Sequence, residues 1–175
     1  MAKHLVLDIE TLGVEYGSQL LSIGAVCGNS TFEVKRIWTP DFYGAKIDFK
    51  TLEWWMTTPS QKARDDVFKG ITTAHCDAID DFRKFIERTK PDYLWGNSPD
   101  FDFGHLEYWY KKASKNVPWT FWQLRDIRTI RDFVDPAKVA EIKAKYTPHI
   151  ALDDAKCEYE ILQEFLKQQE NYLLS

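Results

Sequence analysis

Cysteine is scarce in this sequence. Cys27, Cys76 and Cys157 are odd in number, far apart and form no CxxC pair. Neither a disulfide framework nor a thiolate zinc site is indicated, and a reducing, cytoplasmic setting is expected. Long apolar runs are missing too. None approaches the roughly 18 residues of a membrane-spanning helix, so no membrane partner is expected. The stretch Met1 to Glu10 meets an acid within its apolar run and has no small-residue cleavage site, so no signal peptide is expected. Basic charge is not in excess: 23 Lys and Arg against 27 Asp and Glu leave −4. That excludes a polybasic nucleic-acid coat but not an enzyme acting on nucleic acid. No repeat, low-complexity tract or Gly/Ser linker interrupts the 175 residues, a length that suits one domain spanning 1–175.

Aromatic residues, by contrast, are plentiful at 15% (11 Phe, 8 Tyr and 7 Trp), enough for a sizeable core. The first 38 residues read as strands. His4–Ile9, Leu20–Cys27 and Thr31–Trp38 are apolar-rich or β-branched, and the short spacer at 28–30 predicts neighbouring strands of a meander. The pattern then turns helical. Thr51–Met56 forms one short helix, and Ser60 caps another over QKARDDVF. Ile79, Phe82, Phe85 and Ile86 line a third. Tyr93–Trp95 is a short buried strand, and Phe103, Leu106, Tyr110 and Ala113 mark the next helix. Ala155, Tyr159, Leu162 and Leu166 stripe the last one. Strands first, then helices with one or two strands among them, predict an α/β fold with a mixed sheet.

Three clusters of acids carry possible chemistry. Asp8 and Glu10 are two apart on the first strand, so both point to one face. Two such carboxylates repel, and a divalent cation with a preference for hard oxygen ligands removes that conflict. A pair of acids facing water at a strand end would read the same. Gly96-Asn97-Ser98-Pro99-Asp100-Phe101-Asp102 follows the buried strand and opens a helix. Its acids are either helix-start residues favoured by the macrodipole or further metal ligands at a strand-to-helix junction. His149-Ile150-Ala151-Leu152-Asp153-Asp154 opens the last helix after Pro148. There a His beside acids is either structural or a general base. Residues 105–147 carry nine Lys and Arg against five Asp and Glu, interleaved with Trp109, Tyr110, Trp119, Phe121 and Trp122. That stretch is a solvated face beside core aromatics, or a patch that follows phosphates and stacks bases.

The order and spacing of the three clusters resemble the DEDDh 3′–5′ exonucleases: Asp8-Ile9-Glu10-Thr11 on a strand, Asn97 to Asp102 at a junction, and His149 to Asp154 at the last helix. Thr51-Leu52-Glu53-Trp54-Trp55-Met56, Ala63-Arg64 and Arg125-Asp126-Ile127-Arg128-Thr129 resemble one branch of that family. It includes the mycobacterial 3′–5′ exoribonuclease family and phage exodeoxyribonucleases. The resemblance implies an RNase H-like fold, with a central mixed sheet flanked by helices. It implies metal ligands Asp8, Glu10, Asp102 and Asp154 for two Mg²⁺ ions, with Mn²⁺ able to substitute, and His149 as general base. Asp102 is preferred to Asp100 because it follows Phe101 in an F-D pair, and Asp154 to Asp153 because of the H-x-A-x-x-D pattern. Thr11 and Leu12 are expected to meet the terminal nucleotide, Leu12 as an apolar wedge. Trp54 or Trp55 is expected to stack on a base, with at least one of the two in the core. The implied activity releases nucleoside 5′-monophosphates from the 3′ ends of single-stranded RNA or DNA, and a homodimer is expected. Two alternatives use the same residues: a phosphodiesterase for very short oligonucleotides or dinucleotides, and a nucleic-acid-binding module without catalysis. The filling of all five catalytic positions argues against the second.

Overall fold

Alternation along the first strand sorts its residues onto two faces of a sheet. In the computed structural model, which describes residues 2–38 and 44–173, β1 (His4–Thr11) is central, flanked by β2 (Leu20–Cys27) and β4 (Tyr93–Gly96). β3 (Ser30–Val34) and β5 (Leu124–Asp126) are the edges of the order β3-β2-β1-β4-β5. β1 runs antiparallel to β2 and parallel to β4, so the sheet is mixed as expected.

Leu5, Leu7 and Ile9 face one side of the sheet. They share a core with Phe82 and Phe85 of α3 (His75–Thr89) and with Phe103 and Leu106 of α4 (Pro99–Lys112). Burying each such side chain contributes about 1.5–3 kcal/mol. Val6 faces the other side. It meets Trp95, Ile127 and Ile130 of α5 (Ile127–Arg131), and Leu162 of α7 (Ala151–Leu173). Asp8 and Glu10 continue the Val6 face, so period 2 delivers both carboxylates beneath α7. Helices cover both faces of β2, and every residue of that strand is buried.

The remaining α-helices among the described residues are α1 (Phe49–Thr57), α2 (Gln61–Phe68) and α6 (Pro136–Lys143). Asp48 and Ser60 cap the first two, accepting hydrogen bonds from the N–H groups of Thr51 and Ala63. Two segments differ from the sequence expectation. The third strand stops at Val34 instead of running to Trp38, because Arg36 takes a left-handed conformation (φ 48°) and turns the chain out of the ladder. Ile37 then donates to the Leu21 carbonyl and bridges to Thr73. β5 is an edge strand of only three residues, too short to show an alternating pattern.

Candidate active site

Two glycines set how closely the site's elements approach. Gly24 is the register partner of Asp8. A Cβ there would fall 2.3 Å from the backbone of Ala151 and Leu152, so only glycine lets the start of α7 rest on the sheet. A Cβ on Gly96 would lie 2.6 Å from Asp102 Oδ2, so the end of β4 is hollowed out for that carboxylate. Asp102 sits in the first turn of α4, 3% exposed, whereas Asp100 is exposed. His149 has a left-handed backbone (φ 63°), uncommon for a residue with a side chain. Its N–H donates to Asp154 Oδ2 at 2.7 Å. Its ring stands edge-to-face on Trp54, with centroids 4.8 Å apart. Ligand atoms of Glu10, His149 and Asp154 all lie within 4.8 Å of one another. Asp153 instead accepts from the Thr147 N–H at 3.2 Å and meets Lys62 at 3.7 Å.

Burial is the main reason these carboxylates hold their protons above the usual carboxylate range. Asp8 is raised by burial, then by Glu10, Asp102, Asp154 and Glu158. Glu10 is raised by burial, then by Asp154, Asp102 and Asp66. Asp102 is pushed up to about 8 by burial, against the backbone N–H groups of Ile9 and Asn97 that favour its charged form. Asp154 is raised by burial, with the His149 N–H acting against it. The Lys and Arg ion pairs among the described residues are all made by other acids. A set of hard oxygens with one imidazole, short of positive charge, fits a divalent cation.

A cavity of about 320 Å³ holds Asp8, Glu10, His149, Asp154 and Glu158, with Asn97, Arg131, Lys143 and Tyr146 around it. A second, of about 350 Å³, shares Ile9 and Glu10 with the first and is walled by Thr11, Val14, Lys50, Trp54 and Phe101. A third cavity, about 920 Å³, lies at the opposite end of β1 and contains none of these carboxylates.

The expected substrate contacts divide. Trp54 keeps partial exposure at the second cavity, while Trp55 is 1% exposed and its Nε1 donates to the Thr11 carbonyl at 3.0 Å. Trp55 is therefore a core residue with no ring face open to a base. Leu12 is 2% exposed and packs with Leu21, Trp55 and Ile150, and its N–H donates to the Gln19 carbonyl. The side chain expected to act as a wedge is packed in the core. Thr11 is also buried, and its hydroxyl donates to the Gly13 carbonyl at 2.6 Å. The basic stretch divides as well. Trp109, Tyr110 and Trp119 are buried, and Phe121 and Trp122 are exposed. Lys115 pairs with Asp80 and Arg128 with Asp126, leaving Arg131 and Lys143 at the site. Sequence reasoning missed Glu158. The available signal was a carboxylate one helical turn after Asp154, in a stripe otherwise made of Ala151, Ala155 and Leu162.

A family model described as a 3′–5′ exoribonuclease Rv2179c-like domain matches residues 3–166. No curated protein sequence matches the chain. Among solved structures, the nuclease domain of 3′hExo, a DEDDh family member bound to rAMP, is similar at a TM-score of 0.65 and 14% identity. The alignment covers 95% of this chain and 92% of that one. A family B DNA polymerase from the hyperthermophilic archaeon Pyrobaculum calidifontis aligns at a TM-score of 0.47 and 14% identity, over 96% of this chain and 23% of that one. The match over 3–166 makes this chain a member of the Rv2179c-like 3′–5′ exoribonuclease domain family, and its mixed sheet and helices share the fold of the DEDDh nuclease domain.

Proposed function

We propose that the chain, as one domain over 1–175, hydrolyses single-stranded RNA from its 3′ end and releases nucleoside 5′-monophosphates. The observation that carries this is the meeting of Glu10, His149 and Asp154 within 4.8 Å, from a strand, a left-handed turn and a helix start. Asp8 and Asp102 are close enough to raise the same site's proton affinity. RNA is chosen because the family is described as exoribonuclease.

Asp8, Glu10, Asp102 and Asp154 would hold the divalent ions, Mg²⁺ or Mn²⁺. Bound there in a pair, such ions would supply Lewis-acid stabilisation to the hydrolysis. The chain's own residues do the rest. The terminal nucleoside enters the cavity beside Thr11, where the partly exposed ring of Trp54 offers a stacking face and Phe101 and Val14 close the apolar walls. The scissile phosphate then lies near Glu10, which both cavities share. Arg131 and Lys143 face it with positive charge from the other wall. His149 takes the proton from the attacking water as the phosphorus–O3′ bond breaks, worth about 10²–10⁴-fold in rate. Trp54, its ring perpendicular to the imidazole, and the Asp154 carboxylate on the backbone N–H keep that imidazole in place. A homodimer would give about twice the 20.5 kDa of the chain in light scattering.

The test is digestion of matched single-stranded RNA and DNA labelled at either end, with Mg²⁺, Mn²⁺ or EDTA. A ladder from 5′-labelled RNA and immediate release of labelled mononucleotide from 3′-labelled RNA, both stopped by EDTA, support the reading. Faster digestion of DNA would move the substrate. Cleavage of dinucleotides alone would favour the short-oligonucleotide alternative, and binding without turnover the silent module.

A further inference from the structure

The last helix carries a carboxylate that the reaction above does not use. Ala151, Ala155, Glu158 and Leu162 form the stripe of α7 that lies on β1 and β2. Three of the four are buried and apolar, and Glu158 is 6% exposed. Its Oε2 has no hydrogen-bond partner. A carboxylate taken out of water without a partner is unfavourable, and its surroundings make it worse. Asp102 and Asp154 are like charges near it, and Arg131 and Lys143 are its nearby positive groups. Neither of those makes an ion pair with it among the described residues. Glu158 opens into the cavity that holds Asp8, Glu10, His149 and Asp154, one turn of helix past Asp154.

An apolar side chain at 158 would extend the stripe without penalty. A glutamate there is accounted for by positive charge that the chain does not itself supply, and a divalent cation held by neighbouring oxygens is such a charge. We propose that Glu158 is a fifth carboxylate of the cation-binding set formed by Asp8, Glu10, Asp102 and Asp154. This rests on the metal-dependent reading of the site.

The test is Mn²⁺ titration of the full chain, followed by the spin resonance of the free ion, with thermal unfolding in EDTA beside it. Glu158→Gln keeps the shape and removes the charge; Glu158→Asp keeps the charge and shortens the arm. The proposal expects Glu158→Gln to weaken Mn²⁺ binding about tenfold or more and to raise the unfolding temperature in EDTA, because a buried like charge is gone. Glu158→Asp should recover part of the affinity. A packing role gives the reverse order, with Gln like the parent and Asp worse, and that result overturns the proposal. So does a Glu158→Gln chain that binds Mn²⁺ as the parent does; if the parent digests RNA, the exonuclease reading survives that outcome. A parent that binds no Mn²⁺ overturns both.

Discussion

Acids on the surface of this chain and acids beneath α7 sit in opposite electrostatic surroundings. Asp65 is held below the usual carboxylate range by Lys69, Asp126 by Arg128 and Glu141 by Lys138. Asp8, Glu10, Asp102, Asp154 and Glu158 are all pushed above it, with burial the first cause in each case. The sequence has 23 Lys and Arg, so basic residues are not in short supply. They are placed beside the surface acids and kept at the rim of the buried ones. Acids neutralised by the protein itself are structural. Acids left at α7 without a Lys or Arg ion pair are where we propose that a cation binds and hydrolysis occurs.

The largest effect should come from breaking the buried set. Asp102→Asn removes a charge for which Gly96 makes room, and the rate of RNA digestion in Mg²⁺ should fall about 10³-fold or more. His149→Ala should lower kcat about 10²–10⁴-fold in single-turnover digestion while leaving KM near the parent's, because it removes a proton acceptor and not a substrate clamp.

The two tryptophans sharpen the contrast between site and core. Trp55→Ala should destabilise the fold by about 3–5 kcal/mol in denaturant unfolding, as expected for a fully buried ring. Trp54→Ala should chiefly raise KM, by about 5- to 100-fold if it stacks on a base worth roughly 1–3 kcal/mol. It should cost less stability than the change at Trp55.

The proton affinities make a pH prediction with a definite sign. An unfolded aspartate loses its proton near pH 3.9, whereas folded Asp102 keeps its proton to about 8. Between those values the folded chain binds more protons than the unfolded one, so stability falls as pH rises. In EDTA, the unfolding temperature should drop by about 5 °C or more from pH 5 to pH 8. Mg²⁺ should raise it more at pH 8 than at pH 5. The smallest effect belongs to the surface acids: Asp65→Asn should leave the unfolding temperature within about 1 °C of the parent.

The parts of this molecule legible in its sequence are those set by backbone period. Asp8 and Glu10 share a face because strands alternate, and the stripe of the last helix follows from 3.6 residues per turn. Ser60 announces its helix because a cap acts locally. What sequence could not reach depends on distant partners. Leu12 looked free to act as a wedge, but Leu21 and Ile150 close over it. Trp54 and Trp55 are adjacent in sequence, and only the packing of Trp55 against Ala63, Val67 and Ile150 decides which ring is covered. Glu158 was hidden because its meaning comes from Asp102, 56 residues away, and from the missing bond at Oε2.

The adjacent pair Asp153 and Asp154 offers the most direct test of the whole site. One faces Thr147 and Lys62, the other Glu10 and His149. Single-turnover digestion of 5′-labelled RNA in Mg²⁺ by Asp153→Asn and Asp154→Asn compares them in identical sequence context. The site described here predicts that Asp153→Asn stays within a few-fold of the parent, at about that scale for a partly exposed ion pair, and that Asp154→Asn is inactive. Equal losses, or an active Asp154→Asn, would contradict it.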